Sequence, residues 1–262
     1  MTATVLSGQA RDAYEAIAPA YDVLTGSYAY ERWLAGLEHL ALEHGLSGRR
    51  LLDVACGTGA SFLPMLARGY EVTGCDISHS MLDRARAKAP ETDLYLADMR
   101  QLPMLGEFDL ITCLDDALNY ILDEDELEAT LHGFATNLAD SGLALWDLNT
   151  LAQYRGQFAH DQIISRDEVF IGWGGRSNPP DVQAGELVEV GIDVFAHVSD
   201  DQWQRTTSLH RQRHWPRCVV KRLAHSAGLE LVDVRGQRPG AVIDPELDEL
   251  VHTKAIYVAA VR

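Results

Sequence analysis

The stretch Leu51 to Ala60, L-L-D-V-A-C-G-T-G-A, constrains this chain more than any other segment. It starts as an apolar strand, enters a turn that carries Gly57 and Gly59, and leads into a helix near Ser61. Glycines at such a junction let the backbone approach a ligand with no Cβ in the way. Open α/β sheets bind ligands at the carboxyl ends of their central strands, so the stretch predicts a binding site.

Short apolar runs alternate with helical patterns on both sides of this junction. Such βα alternation predicts an α/β fold with a doubly wound, Rossmann-like sheet, which we count as seven-stranded. Asp123 and Glu126 predict a capping box at the start of the helix after the fourth strand, so we assign the acidic run there a structural role. The first five predicted strands are Leu51–Ala55, Glu71–Cys75, Leu94–Leu96, Leu110–Leu114 and Leu143–Trp146.

The flanking segments differ from this core. Residues 1–45 predict an N-terminal helical cap with helices at Arg11–Tyr21 and Tyr28–His44. Residues 161–215 are β-rich, with strands Ile163–Ile171, Leu187–Val198 and Trp203–Trp215 joined by turns, and predict an antiparallel insertion over the active site. The core is then 46–160 together with 216–262, which holds a helix, Pro216–Ala227, and a closing hairpin of Leu229–Val234 and Lys254–Val261.

The glycine turn excludes two common classes of nucleotide ligand. A P-loop needs a Lys after its glycines to reach the phosphates, and none follows here. A dinucleotide fold needs a third glycine where this chain has Phe62, which crowds the helix against the strand and disfavours an NAD-dependent oxidoreductase. We therefore expect a ligand without a pyrophosphate.

Two later aspartates indicate what that ligand is. Asp76 ends the second strand, in E-V-T-G-C-D-I-S, where a carboxylate can accept hydrogen bonds from both ribose hydroxyls. Asp98, in A-D-M-R after the third strand, is placed to accept from an adenine amino group with Met99 against the ring. A simple helix cap is the alternative role for Asp98. Together these residues predict a nucleoside site.

The composition of the chain restricts the classes of partner molecule that we expect. The formal charge of −17 disfavours nucleic acid, and no apolar run reaches the length of a signal or a membrane span. The lack of such a run predicts a cytoplasmic protein. Cys56, Cys75, Cys113 and Cys218 show no C-x-x-C spacing, which predicts free thiols. We expect a small-molecule partner, no metal, no nucleic acid and no membrane, and we leave a homodimer open.

Four motifs in order, D-V-A-C-G-T-G, T-G-C-D-I-S, A-D-M-R and F-D-L-I-T-C, resemble those of the class I S-adenosylmethionine-dependent methyltransferases. Within that family, residues 14–149 look most similar to the deoxyaminosugar N,N-dimethyltransferases and the glycine N-methyltransferases. The resemblance implies S-adenosyl-L-methionine as cofactor and S-adenosyl-L-homocysteine as product.

The resemblance also implies roles for matching residues. It places Asp53, Ala55 and Gly57 around the methionine moiety, with Ala55 where many members have glycine. Asp76 is implied on the ribose, and Tyr21, in A-P-A-Y-D, over the cofactor. The remaining cofactor residues are Gly59, Ile77, Asp98 and Met99, with Leu114 and Asp115 beside the sulfonium.

The acceptor side is less defined. In C-L-D-D-A-L-N-Y, the candidates for acceptor contact are Asp115, Asp116, Asn119 and Tyr120, and one acid could hold or deprotonate an ammonium. Helix capping is the alternative role for Asp115. The catalytic candidates are Asp115, Tyr120, His210 and Tyr21; the further acceptor-binding candidates are Tyr14, Trp33, Trp146, Asn149 and His214.

His210 and His214 lie on one face of a strand, about 13 Å apart at 3.3 Å per residue, which is too far to share a metal ion. An acidic site suits an amine, so N-methylation of a small amine in specialised metabolism is our prediction. The aromatic residues, Trp33 and Trp146 among them, make C- or O-methylation of an indole-like ring the alternative. A non-catalytic nucleoside-binding protein is a third reading.

Overall fold

The computed structural model describes residues 3–166, 168–175 and 181–262. The two N-terminal helices were predicted, although the first extends further at both ends than Arg11–Tyr21. Asp123 caps the fifth helix as predicted, with its carboxylate accepting the Asp125 N–H. The helices are α1 (Ala3–Thr25), α2 (Tyr30–Glu43), α3 (Leu63–Ala67), α4 (His79–Lys88), α5 (Glu124–Asn137), α6 (Leu151–Arg155) and α7 (Arg217–Ser226).

The central sheet has eight strands, which are β1 (Arg50–Val54), β2 (Glu71–Asp76), β3 (Asp93–Leu96), β4 (Phe108–Cys113), β5 (Leu138–Asn149), β10 (Leu229–Arg238), β11 (Val242–Asp244) and β12 (Lys254–Val261). Their order in the sheet is β11-β10-β12-β5-β4-β1-β2-β3. Strands β1 to β5 pair in parallel, while β10 and β12 form the predicted antiparallel closing hairpin beside β5.

The count of seven strands was wrong by one. The added strand, β11, is three residues long, lies at the edge of the sheet and pairs with β10. A segment this short carries no alternation that distinguishes it from a turn, so the sequence pattern did not reveal it.

Helices cover both faces of the sheet. On one face α5 and α7 bury Leu131, Phe134 and Leu223 against the strands. On the other, α2 and α3 bury Leu37 and Met65. Two apolar layers on a mainly parallel sheet give the doubly wound architecture that the βα alternation predicted.

A second, antiparallel sheet lies within the segment predicted as an insertion. Its strands run in the order β6 (Gln162–Arg166), β7 (Val169–Gly175), β8 (Leu187–Ser199) and β9 (Gln202–Arg213). The prediction of one strand at Ile163–Ile171 was wrong, because that segment holds parts of β6 and β7. Apolar side chains of β8 pack with Ile17 and Ala18 of α1, so this sheet and α1 share one core.

None of the helices within the described ranges is both long and apolar enough to cross a membrane.

Leu52 offers a direct test of the core, since it lies in the central strand β1 with none of its surface exposed. We expect Leu52→Ala to lower the free energy of unfolding by about 2–5 kcal/mol, the range for emptying a buried leucine site. Urea unfolding measures this. Leu42→Ala, at a helix position 53% exposed, is the matched control and should change stability by less than about 0.5 kcal/mol. Equal effects of the two substitutions would contradict this packing.

Candidate active site

A cleft that is open to solvent lies where the parallel strands end. Its floor is formed by residues that follow β1, β2, β3 and β4, and α1 contributes Tyr14 and Tyr21 from above. Because parallel strands all point the same way, their carboxyl ends bring these segments to one edge of the sheet. The cleft is therefore where the glycine turn predicted a site.

The glycine turn has the backbone geometry that glycine favours. Gly57 and Gly59 have φ of 53° and 88°, and Ala55 also lies in the left-handed region at 58°. A Cβ on Gly59 would lie 2.7 Å from the ring of Phe62, which is fully buried. Phe62 thus occupies the space beside the turn, as predicted, and Gly59 supports the turn without lining the cleft.

Asp76 connects the glycine turn to β2. Its Oδ2 accepts the Gly57 N–H at 2.8 Å and its Oδ1 accepts the Ser78 N–H at 2.9 Å. Burial raises the pKa of the carboxyl, and these backbone hydrogen bonds oppose that rise. Asp76 and Ile77 both line the cleft. Each carboxylate oxygen has a further lone pair, so the group can still accept from a ligand.

Asp98 and Met99 line the cleft beyond the end of β3. The Asp98 carboxylate also caps a short turn by accepting the Arg100 N–H at 3.0 Å, so the capping role considered from sequence is present. It accepts the Arg100 Nε–H at 2.8 Å as well. Burial would raise the Asp98 pKa, but the hydrogen bonds from Arg100 lower it below its usual value. The ion pair with Arg100 was not anticipated from sequence.

Asp53 lies behind the cleft instead of among its lining residues. It is 1% exposed, and its carboxylate accepts from the hydroxyls of Ser61 and of Thr112, the latter at 2.7 Å. Burial raises its pKa to about 6. Ser61 does line the cleft, so Asp53 acts on the site through the hydroxyl it holds.

Two aspartates follow β4 in a strained backbone. Asp115 and Asp116 both have left-handed φ, at 60° and 55°. Asp115 lines the cleft beside Leu114 and accepts a hydrogen bond from the Tyr30 hydroxyl. Asp116 lies behind it and accepts from the Gln212 side chain of β9. The Asp115–Asp116 turn therefore connects the cleft floor to the second sheet.

Lys254, which the sequence analysis did not identify, lies under this turn. Its Nζ is 2.6 Å from Asp147, 3.4 Å from Asp116 and 3.7 Å from Asp115. Burial alone would lower the Lys254 pKa, but the three carboxylates raise it well above its usual value. The available sequence signal was one lysine at the start of an otherwise apolar final strand, K-A-I-Y-V-A-A-V.

Tyrosines form the wall opposite this acidic floor. Tyr14 and Tyr120 pack edge to face with ring centres 5.2 Å apart, and both line the cleft. The Tyr120 hydroxyl lies 2.9 Å from His210 Nδ1, and His210 Nε2 lies 3.0 Å from Ser208 Oγ. Burial lowers the His210 pKa to about 4. His210 is thus a neutral, buried group one hydrogen bond from the cleft.

The two tryptophans predicted to contact the acceptor do not line the cleft. Trp146 is fully buried in the sheet core, with its ring stacked 5.5 Å from that of Tyr257. Trp33 is 3% exposed, and its ring lies 5.5 Å from Lys254 Nζ. An indole ring is hydrophobic, which favours packing in the core over contact with an acceptor in the cleft.

Three polar candidates are also drawn away from the cleft by protein partners. Asn119 donates to the Arg213 carbonyl at 2.8 Å, and the Asn149 side-chain amide donates to the Gln212 side chain at 3.0 Å. His214 is 1% exposed and lies 2.8 Å from Glu249. These contacts join β5, β9 and the loop before β12. Within the described ranges, no cluster of three or more His, Cys, Asp or Glu has the arrangement of a metal site.

The raised pKa of Asp53 predicts how the stability of the protein changes with pH. A carboxyl with a higher pKa in the folded state contributes stability that is full below pH ~4 and lost as the pH rises through about 6. The Asp53→Asn variant lacks this loss. The difference in free energy of unfolding, variant minus wild type, should therefore increase by about 3 kcal/mol between pH 4 and pH 8, at about 1.4 kcal/mol per pKa unit. Urea unfolding at both pH values measures the change, with exposed Asp140→Asn as control. If the difference in free energy of unfolding between Asp53→Asn and wild type were the same at both pH values, the prediction would be wrong.

Comparison with known proteins agrees with this geometry. Residues 51–142, which run from β1 into β5, match the family model described as a methyltransferase domain. A protein of Geobacillus sp. (strain WCH70) that carries the name of a methyltransferase is 29% identical over 226 residues, covering 84% of this chain and 90% of that protein.

A second relative and a solved structure extend the similarity. The dTDP-3-amino-3,6-dideoxy-alpha-D-glucopyranose N,N-dimethyltransferase of Streptomyces fradiae is 31% identical over 131 residues, 49% of this chain and 51% of that enzyme. The crystal structure of an S-adenosylmethionine-dependent methyltransferase from Clostridium acetobutylicum ATCC 824 superposes with a TM-score of 0.78 at 22% identity, covering 92% of this chain and 96% of that one. Residues 51–142 are therefore a methyltransferase domain, and the chain shares the fold of that S-adenosylmethionine-dependent enzyme.

Proposed function

We propose that this enzyme transfers a methyl group from S-adenosylmethionine to the nitrogen of a small amine in specialised metabolism. The observation that carries the proposal is the Asp115 carboxylate on the floor of a tyrosine-walled cleft, on the same strand-end edge as Asp76. A negative floor attracts both the sulfonium of the cofactor and a cationic acceptor. The tyrosine ring faces add a second attraction for a cation.

The cofactor fits the strand-end residues in an extended pose. Asp76 would hold the ribose hydroxyls, and Asp98 with Met99 would hold the adenine. The turn at Gly57 leaves room for the methionine moiety, because a Cβ there would meet nothing closer than Tyr21 at 3.9 Å. Bound S-adenosylmethionine supplies a methyl group already activated on sulfur, and S-adenosylhomocysteine is the product.

The acceptor nitrogen must lose a proton before its lone pair can attack the methyl carbon. In our proposal Asp115 holds the ammonium and takes its proton, while the Tyr120 hydroxyl accepts a hydrogen bond from the amine and donates its own to His210 Nδ1. The 2.9 Å contact between Tyr120 and His210 supports this orientation of the hydroxyl. The low pKa of His210 keeps the ring neutral near pH 7, so that Nδ1 can accept from Tyr120. The nitrogen–carbon bond then forms as the carbon–sulfur bond breaks, and its electron pair stays on sulfur.

Two further observations support an amine over a planar heterocycle. Trp33 and Trp146, the two indoles that would have stacked on such a ring, are buried away from the cleft. A neutral ring above Asp115 would also desolvate a carboxylate without compensating its charge. The Streptomyces fradiae relative is named as an N,N-dimethyltransferase, in line with nitrogen as the acceptor atom.

We also propose that the enzyme acts in the cytoplasm and has no nucleic-acid partner. All four cysteines are free, three of them buried, which is typical of a reducing compartment. The charge of −17 opposes binding to phosphate backbones. A homodimer stays a prediction, as does the division of the chain into a cap at 1–45, a core at 46–160 with 216–262, and an insertion at 161–215.

Methyl transfer can be tested without knowing the acceptor. We expect the enzyme, incubated with methyl-deuterated S-adenosylmethionine and an amine-containing metabolite extract, to produce a labelled compound whose fragmentation places the methyl group on nitrogen. Tyr120→Phe should slow formation of that product by about 10-fold to 10²-fold, the scale for losing a group that positions the reacting atoms. Mass spectrometry follows both reactions.

Tyr95→Phe is the matched control, because that hydroxyl lies on an exposed tyrosine of β3. It should leave the rate unchanged. A label found on carbon or oxygen would overturn the proposed acceptor, and a Tyr120→Phe enzyme as fast as wild type would overturn the proposed role of the Tyr120 hydroxyl.

A further inference from the structure

We propose that Lys254 is a positioning residue that holds the Asp115–Asp116 turn in place beside the sulfonium and the acceptor amine, with both carboxylates ionised. The inference rests on the proposed function, because it assigns the cofactor and the acceptor to the face of the cleft that Asp115 lines. It adds a residue that contacts neither reactant.

Lys254 joins three strand ends. It is the first residue of β12, opposite Asn149 of β5, and only 6% of it is exposed. Its shortest contact, at 2.6 Å, is with Asp147 of β5, and its longer contacts at 3.4 and 3.7 Å are with the two aspartates that follow β4. Within the described part of the chain, Lys254 is the one cation in ion-pair distance of these three carboxylates.

The turn needs such support for two reasons. Two consecutive non-glycine residues with φ near 60° are strained, and strain persists only where the surroundings fix it. Three buried carboxylates also repel one another, which favours protonation of one of them or separation. Lys254 opposes both tendencies, and the Asp116 N–H, donated to Asp147 Oδ2 at 3.0 Å, fixes the backbone of the turn.

The ionisation of this cluster follows from its neighbours. Burial raises the Asp116 pKa to about 6; Lys254 lowers it, while Asp115 and Asp147 raise it. Removing Lys254 should therefore raise the pH at which the pair ionises, and removing the Asp147 charge should lower it. The titratable groups that face the cluster from the other elements are Tyr14, Tyr21, Tyr28, Tyr30, Asp53, Tyr120 and Tyr154, and all of these have a raised pKa.

The test compares two ligands that differ in one charge. S-Adenosylmethionine carries the sulfonium and S-adenosylhomocysteine does not, so the ratio of their Kd values reports the charge of the Asp115–Asp116 turn. Isothermal titration calorimetry from pH 5 to pH 9 gives this ratio for each variant. We expect the preference for S-adenosylmethionine to rise with pH through a midpoint near 6 in the wild type.

Lys254→Met should move that midpoint up by about one pH unit or more, Lys254→Arg should restore it, and Asp147→Asn should move it down. Lys221→Met, at an exposed position of α7, is the control of equal charge change and should match wild type.

An unmoved midpoint in a folded Lys254→Met protein would overturn the inference. If that variant fails to fold, Asp147→Asn decides the question, and an unmoved or rising midpoint overturns it. A wild-type protein that binds neither nucleoside would instead overturn the proposed function itself.

Discussion

Parallel pairing of β1 with both β2 and β4 is the constraint on which the cleft depends. The pairing sets Val54 opposite Cys75 and Asp53 opposite Thr112, so all three strands end at the same level. Hydrogen bonds then join neighbouring strand ends: Asp76 holds the Gly57 N–H, and Asp53 holds the Thr112 hydroxyl. The left-handed residues after β1 and β4 turn the chain away and leave an open floor.

The electrostatics of the site follow from what this floor buries. Three aspartates and one lysine meet below the cleft, so the fully ionised cluster carries a net negative charge in a poorly hydrated place. Buried carboxylates are costly unless paired, and the Lys254 ion pairs together with the Tyr30 and Gln212 hydrogen bonds offset that cost. The remaining charge faces the cleft at Asp115, where we propose that it attracts a cationic cofactor and an amine.

The proposed cofactor half of the site was largely predictable from sequence, since it is built from short motifs at strand ends. Asp76 and the glycine turn lie where the strand pattern placed them, and Phe62 fills the space that a third glycine would have left open. The geometry of the proposed acceptor half was predictable only in part. Asp115 and Tyr120 line the cleft, but the side chains of Asn149 and His214 contact protein partners that lie far away in sequence.

What sequence missed depends on tertiary contacts that no local pattern encodes. Lys254 is 138 residues from Asp116, and only the antiparallel pairing of β12 with β5 brings it under the turn. The short edge strand β11 likewise forms because β10 presents an open edge. Trp33 and Trp146 were predicted to contact the acceptor but are buried. An aromatic side chain near a site can belong to the core beneath it.

We propose that the strand-end cleft holds S-adenosylmethionine with its sulfur beside the Asp115–Asp116 turn. A crystal structure of the enzyme with S-adenosylhomocysteine tests this placement. We expect both ribose hydroxyls within hydrogen-bond distance of the Asp76 carboxylate, and the sulfur next to Asp115 under Tyr21. Nucleoside density elsewhere on the protein, or a ribose without contact to Asp76, would contradict it.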